Sequence, residues 1–582
     1  MHSCPSEQGR STLKALGRWP HGQEAEAEWL WDGDSSAPTV VGVVPSARSS
    51  SALRVLLGRA EKGSSGELAW RRELLQLEAA VVDQRGDVPF KLLGLQPPLQ
   101  PGEPSTAFYA IDRRGVHSDT ACLLEVDFSS PRIRQRVLFS HPRYDVSNAL
   151  FDPSTGLPLA VGIYQQRMSW LSIPSSTPTP SNVATVATTT TASSSSSRLA
   201  KLLATLPSDR EVTAIQPTPS GKWLVTCSSD RAPPELFLYD QSSGDNTASL
   251  SLCSTQPDLQ QASGSLARTH PVSIPIKSAS CSGDILLDGY LTLPPDTKDP
   301  SPTVQKDGSQ REQRIPLVVM LHGGPADRDF WTLDPDVQLL ALSGIAVFRP
   351  NYVGSSGYGK RFEEQAHGRL GTGVVQDVVA ATEWLLQRHG DCLDASRVGV
   401  YGSSAGGFLA LKAVSTAPQL FRCAATLNGV FSLPLLLESA SHAVYFQRLA
   451  GFSRDPSVDQ SVKQSVLAPD SLAGIKAPLL LCAGLDDDVV PVAHSTRLAR
   501  ALRRARATSA KLVIFPGEGH RFVQLYNILR LTSLVQSFML KHLGGSSLSS
   551  SMPRDSWSDL FCFYLFNWNA HFLRLFKRKE KS

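Results

Sequence analysis

A chain of 582 residues has room for two to four domains at about 150 residues each, and 41% hydrophobic residues can fill sizeable cores, which excludes disorder throughout. Its 57 basic and 53 acidic side chains give a formal charge of +4, and the last twelve residues alone carry Arg574, Lys577, Arg578, Lys579 and Lys581 against Glu580. The body is therefore near neutral and lacks the basic stripe on which polynucleotide affinity rests, which argues against nucleic-acid partners.

Residues 1–29 read as a flexible N-terminus. Arg10, Lys14 and Arg18 occur there without a run of 7 to 15 apolar residues, so no secretory signal is visible, although a weak organelle transit peptide stays open. Nine cysteines, an odd number with no C-x-x-C pair, argue against a disulfide framework or a zinc module. They fit a reducing compartment, and a cytoplasmic location is expected. No stretch of about 18 uncharged apolar residues occurs, which argues against a membrane-spanning helix.

From 30 to 294 the apolar residues come in short bursts broken by Gly, Pro, Ser and Asp: Thr39 to Val44, Leu53 to Leu57, Ala121 to Phe128, Leu157 to Tyr164, Trp223 to Cys227 and Leu236 to Tyr239. That rhythm predicts short strands and turns. Phe108 to Asp112 leads through Arg-Arg-Gly to Cys122 to Val126, and Leu236 to Asp240 leads through Ser-Ser-Gly to Leu250 to Leu252. Both read as hairpins that end a repeat. Phe151 to Gly156 before Leu159 to Val161, and Pro217 to Gly221 before Trp223 to Val225, echo each other in the same way. Antiparallel units of about 40 to 50 residues predict a β-propeller, with a sandwich as the alternative. Residues 173–197, almost all Ser, Thr, Ala and Pro, read as a disordered loop, and 295–314 as a polar linker between domains.

After Ile315 the texture changes to strands alternating with amphipathic helices. Leu317 to Leu321, Ile345 to Arg349, Val398 to Tyr401, Ala424 to Leu427, Leu479 to Ala483 and Leu512 to Phe515 are the strands, with helices over Val374 to Leu386 and from about His494. This predicts a doubly wound, mostly parallel sheet over 315–543.

Within it, Gly402-Ser403-Ser404-Ala405-Gly406 joins a strand to a helix. A serine on such a turn has its hydroxyl pushed above the sheet, and glycines two positions either side remove clashing side chains. Ser404 is the candidate nucleophile. It needs a base, and the base an orienting acid, which in this arrangement follow in the order Ser, acid, His. Downstream, one strand ends in Gly484-Leu485-Asp486-Asp487-Asp488 and the next in Pro516-Gly517-Glu518-Gly519-His520. Both lie at carboxyl ends of strands, where open α/β sheets place their sites. His520 is the candidate base and Asp487 the acid, with Asp486 as the alternative. The strand Leu317 to Leu321 runs into His322-Gly323-Gly324-Pro325, so an N–H of Gly323 or Gly324 would join that of Ala405 in binding an oxyanion. The chemistry is acyl transfer and calls for no metal or organic cofactor.

His322-Gly-Gly-Pro, the run Arg349 to Gly359, Gly402-x-Ser404-x-Gly406-Gly407 and Gly517-x-Gly519-His520 resemble the catalytic domain of the prolyl oligopeptidase family of serine peptidases, nearest its acylaminoacyl-peptidase branch. The resemblance covers about residues 284 to 543. Upstream, Leu138 to Ser147 and Asp288 to Pro294 resemble propeller and junction segments of bacterial members. The resemblance implies an α/β-hydrolase catalytic domain behind a partial β-propeller, with Ser404 attacking, His520 serving as base then acid, Asp487 orienting it, and Tyr352 and Tyr358 at the substrate. Its implied substrates are short or N-acylated peptides, cleaved to release an acylated residue or a dipeptide.

Family members often carry Arg in the Asn-Tyr-Arg-Gly-Ser segment and after the catalytic acid, where this chain has Val353 and Asp488. Weak peptide anchoring there would favour a carboxylesterase of the same fold. A propeller-based binding protein with a vestigial hydrolase domain is the non-enzyme alternative. The tail 544–582 is aromatic and basic, with Leu560 to Phe566 followed by Asn567, Asn569, His571 and Arg574. It is too interrupted to span a membrane; an interfacial contact, a helix docked on the body and an appended extension are the readings it allows. A homo-oligomer is compatible with all of this.

Overall fold

Short alternating runs before residue 255 form four antiparallel meanders, each with its strands side by side in sequence order. The first holds Glu28–Trp31, Thr39–Ser46, Ser49–Ala60 and Leu68–Leu77, and the second Phe90–Leu95, Ala107–Asp112, Cys122–Asp127 and Arg134–Phe139. The third has three strands, Val146–Phe151, Pro158–Tyr164 and Met168–Ser172, and the fourth Glu211–Pro217, Trp223–Ser228, Glu235–Asp240 and Ser249–Ser254. None of the four closes on itself. The computed structural model describes residues 28–31, 39–46, 49–60, 68–77, 90–96, 105–152, 155–173, 194–218, 220–240, 249–254, 263–281, 283–295, 297, 314–439, 472 and 474–544.

Each meander buries a face against the next. Val41 packs with Phe90, Phe108 and Leu124; Ile111 and Leu123 with Val146, Val161 and Ile163; Leu150 and Ala160 with Val212, Trp223 and Tyr239. The two pairs of sequence echoes differ in their fate. The Phe151 and Pro217 segments both join the first and second strands of their sheets, as equivalent positions should. The Phe108 hairpin lies in the middle of its sheet and the Leu236 hairpin at the end of its own, so that pair is not equivalent. Period-two alternation looks the same wherever a hairpin sits in a meander.

Two expected boundaries move. A helix spans Ser194–Thr205, taking in the last four residues of the expected loop, because Leu199 and Leu202, three apart on one face, are buried in the third core cluster. Residues 1–27, 174–193 and 545–582 lie outside the described residues, as do nearly all of 295–314. The catalytic sheet also starts earlier than expected. Strands β1 (Thr269–Ser278) and β2 (Gly283–Thr292) belong to it, so the polar stretch after them is an insertion between strands and not the domain boundary.

The sheet continues with β3 (Ile315–Leu321), helix α1 (Pro335–Leu342), β4 (Ala346–Pro350), α2 (Lys360–Glu364), α3 (Gly373–Arg388), β5 (Leu393–Ser403), α4 (Ala405–Thr416), β6 (Phe421–Leu427), α5 (Leu433–Ser439), β7 (Leu479–Gly484), α6 (Ala493–Arg504), β8 (Ala510–Phe515) and α7 (Leu525–Leu543). Its strand order is β1-β2-β4-β3-β5-β6-β7-β8, with β3 to β8 parallel and β2 antiparallel to both neighbours. This is an α/β-hydrolase sheet. Leu317, Val319, Leu479 and Leu481 face α3, α4 and α6, while Val318, Leu480 and Cys482 face α1 and α7. Burial on both faces explains why these strands read as unbroken apolar runs. Among the described residues no helix is long and apolar enough to cross a membrane.

The β domain is bolted to the sheet by polar contacts. The buried Arg328 guanidinium donates to the carbonyls of Tyr164 at 3.1 Å and Gln165 at 3.0 Å, and the Tyr144 hydroxyl donates to Asp288 at 2.9 Å.

Candidate active site

β5, β7 and β8 run parallel in one sheet, so they end on the same side of it, and each hands on a loop with one polar side chain of interest. After β5, Ser404 takes φ 55° and ψ −118° before α4 begins. A residue with a Cβ in such a conformation is strained by about 1–3 kcal/mol and persists only where its surroundings hold it. The end of β6 and the segment after it do so. The Ser404 N–H donates to the Leu427 carbonyl at 2.9 Å, and the Ser404 carbonyl accepts the Val430 N–H at 3.3 Å. The turn leaves no room at Gly406, where a Cβ would stand 2.1 Å from the Leu321 carbonyl oxygen.

β7 ends at Gly484, a second place where only glycine fits, since a Cβ would lie 2.4 Å from the carbonyl oxygens of both Glu518 and Gly519. The loops after β7 and β8 therefore touch backbone to backbone. Asp487 is buried; one of its oxygens accepts the N–H groups of Val489 at 2.9 Å and Val490 at 2.8 Å, and the other lies 2.8 Å from His520 Nδ1. Asp486 does something else, accepting the Gly517 N–H at 3.0 Å. A ring that donates from Nδ1 to a carboxylate has its Nε2 free to take a proton. The buried Glu518 fixes the loop from below, accepting from the backbone of Val523 at 2.7 Å and Gln524 at 3.1 Å and from the Asn527 amide at 3.0 Å. This ties His520 to the start of α7.

The third part follows β3. Gly323 lies against the serine, since a Cβ there would be 3.5 Å from the Ser404 Cβ. Tyr352, expected at the substrate, is fully buried behind this turn. Its ring stacks on His322 at 4.2 Å and its hydroxyl donates to the carbonyls of His322 at 2.8 Å and Gly323 at 3.3 Å. Burial pushes that hydroxyl well above the ordinary tyrosine range, so it is a neutral donor. The peptides after His322 and Gly323 are trans, so the N–H groups of Gly323 and Gly324 point away from the carbonyls that Tyr352 holds. Tyr358 is also buried, its hydroxyl bonded to the Asn351 amide at 2.8 Å and to Arg328 at 3.1 Å. Neither tyrosine offers its hydroxyl to an open surface, which corrects the expectation that they contact substrate. The polar tip that marks Tyr as a surface binder in a sequence serves equally well for a buried bond to backbone.

Sequence reasoning passed over Asn428, Glu518 and His494. His494 is buried with its Nδ1 accepting the Phe431 N–H at 3.1 Å, and burial pulls its pKa down to about 4, against the opposing pull of Asp487. It stays neutral. Asn428 is the first residue past β6, Glu518 lies in the loop after β8 and His494 in the first turn of α6, and in the sequence none of the three belongs to a pattern.

Residues 331–546 match the sequence pattern of the Prolyl oligopeptidase family. Dipeptidyl aminopeptidase BIII of Pseudoxanthomonas mexicana is 30% identical over 441 residues, which is 75% of this chain and 58% of that protein. The acylamino-acid-releasing enzyme of Sus scrofa is 33% identical over 224 residues, 37% of this chain and 30% of that one. Among solved structures, the Pyrococcus horikoshii acylaminoacyl peptidase aligns with a TM-score of 0.60 at 16% identity, over 92% of this chain and 73% of its own. A puromycin-hydrolyzing peptidase of Mycobacterium tuberculosis aligns with a TM-score of 0.59 at 17% identity, over 87% and 68%. These structural likenesses concern the fold. The chain spans about three fifths of the length of the first curated relatives it matches, 58% and 64%.

Proposed function

From the premise that the chain carries a prolyl oligopeptidase family domain, we propose that it is a serine peptidase that hydrolyses short peptides through an acyl-enzyme. The observation that carries this is the Asp487–His520 contact of 2.8 Å, in loops that follow strands of the same parallel sheet whose β5 leads into a serine held at φ 55°. Ser404 attacks the scissile carbonyl, and His520 takes its proton and later gives it to the leaving amine. Asp487 holds the imidazole in the tautomer that makes this work. The N–H groups of Ala405 and of Gly323 or Gly324 bind the oxyanion, in a turn oriented by Tyr352. The products are an N-terminal acylated residue or a dipeptide, in keeping with the names of the relatives.

The four meanders are read as blades of a partial β-propeller that limits access to short substrates. Support comes from their sequential order and from core clusters that join each sheet to the next. A reducing, cytoplasmic setting belongs to the same reading. Seven cysteines among the described residues are free, and burial pushes the thiols of Cys122, Cys227, Cys423 and Cys482 up to about 12.

One observation favours a carboxylesterase instead: Val353 is fully buried and gives no cation to hold a peptide. Hydrolysis of acetyl-alanyl, alanyl-prolyl and free-alanyl anilides beside nitrophenyl butyrate, with Ser404→Ala as control, separates the two. Cleavage of an anilide that the variant abolishes supports the peptidase and names its preferred substrate. Cleavage of the ester alone makes the protein an esterase.

A further inference from the structure

Asn428 stands just past the end of β6 with φ 48°, almost fully buried. Its side-chain amide bonds both neighbouring loops. Oδ1 accepts the Gly484 N–H at 2.8 Å, at the start of the loop that carries Asp487. Nδ2 donates to the carbonyl of His520 itself at 2.8 Å and to that of Gly519 at 3.3 Å. Its own N–H donates to the Cys482 carbonyl at 2.9 Å, and the preceding Leu427 carbonyl takes the Ser404 N–H.

Three loops that share no covalent continuity are thus joined through one residue. From this we infer that Asn428 is a positioning residue for the reaction, setting the height of the His520 ring relative to Ser404 and Asp487. The chemistry needs an amide: one donor and one acceptor on a short stem, in a residue that tolerates a left-handed backbone. Aspartate would turn a carboxylate toward the carbonyls of Gly519 and His520. Alanine would leave buried carbonyls and an N–H unpaired, and glutamine is one methylene too long.

The inference rests on the hydrolase reading above, and its test keeps the two apart. Asn428→Gly relieves the backbone and deletes the clamp, while Asn428→Asp keeps the shape and deletes the donor. Both would be compared with the wild-type chain for thermal unfolding, for kcat and KM on the best substrate of the panel, and for the rate of inactivation by a fluorophosphonate. The expected result is folded protein with KM within about threefold of wild type, and with kcat and the inactivation rate both down roughly 10- to 100-fold, as for a small misplacement of a reacting group. A purely structural role would lower the melting temperature and leave kcat of the folded fraction alone. A wild-type kcat in folded Asn428→Gly and Asn428→Asp overturns the inference, as does failure of both variants to fold. A wild-type chain that neither cleaves nor labels overturns the hydrolase reading itself.

Discussion

Asp487 spends one carboxylate oxygen on two backbone N–H groups and presents the other to His520 Nδ1 at 2.8 Å, so it can neither rotate nor pair elsewhere without losing buried bonds. Its neighbour Asp486 is bound to Gly517 instead. Of the two aspartates, only Asp487 pairs with His520.

Asp487→Asn replaces the acceptor facing His520 by an amide that can favour the wrong imidazole tautomer. We expect kcat to fall by about 10⁴, as for the orienting acid of comparable triads, with KM little changed. Asp486→Asn should stay within several-fold of wild type. Steady-state hydrolysis by the two variants checks this, and equal losses would assign the acid wrongly.

Tyr352→Phe removes the hydroxyl that holds the carbonyls of His322 and Gly323, and with it the fixed direction of two N–H groups. Direct loss of one oxyanion donor costs about 10²–10³ in rate, so loosening the turn should cost less, on the order of tenfold in kcat. If Tyr352 instead held substrate, KM would rise and kcat would not fall.

The parallel core, the strand-to-helix turn at Ser404 and the pairing of Asp487 with His520 were legible because each is written in local chemistry. Apolar runs of strand length are bounded by glycines at the points where backbones meet, as at Gly406 and Gly484. Asn428 was not legible, because its work is a set of contacts to residues some 56 and 92 positions away and a single Asn after a strand carries no pattern. The membership of β1 and β2 in the catalytic sheet was hidden for a related reason. β2 pairs with β4 across a long polar insertion and carries β1 on its other edge, and the insertion looks like a boundary.

Glu211, on the fourth meander, is buried with one oxygen accepting the Met168 N–H at 2.9 Å and the other without a partner. Burial raises its pKa from 4.5 to about 7, with Arg167 and Arg328 pulling the other way and Asp230 adding to the rise. The folded value exceeds the unfolded one, so the folded state holds the proton more tightly. That contribution is complete below about pH 4.5 and is lost as pH rises through about 7, a change of up to about 3 kcal/mol. Glu211→Gln should therefore raise the melting temperature at pH 8 and do little at pH 4.5. His494, with its pKa drawn down to about 4, acts in the opposite sense between pH 6.5 and 4, so the difference between variant and wild type must be read, not the wild-type curve. A Gln variant that is no more stable than wild type at pH 8 would contradict the account.

The hydroxyl of Ser404 is expected to form the covalent bond with substrate. Intact-protein mass spectrometry after exposure to a fluorophosphonate, followed by peptide mapping, tests it directly. The expected result is one adduct per chain, located on Ser404, absent from Ser404→Ala and formed far more slowly by His520→Ala. An adduct elsewhere, or none on a folded wild-type chain, would contradict it.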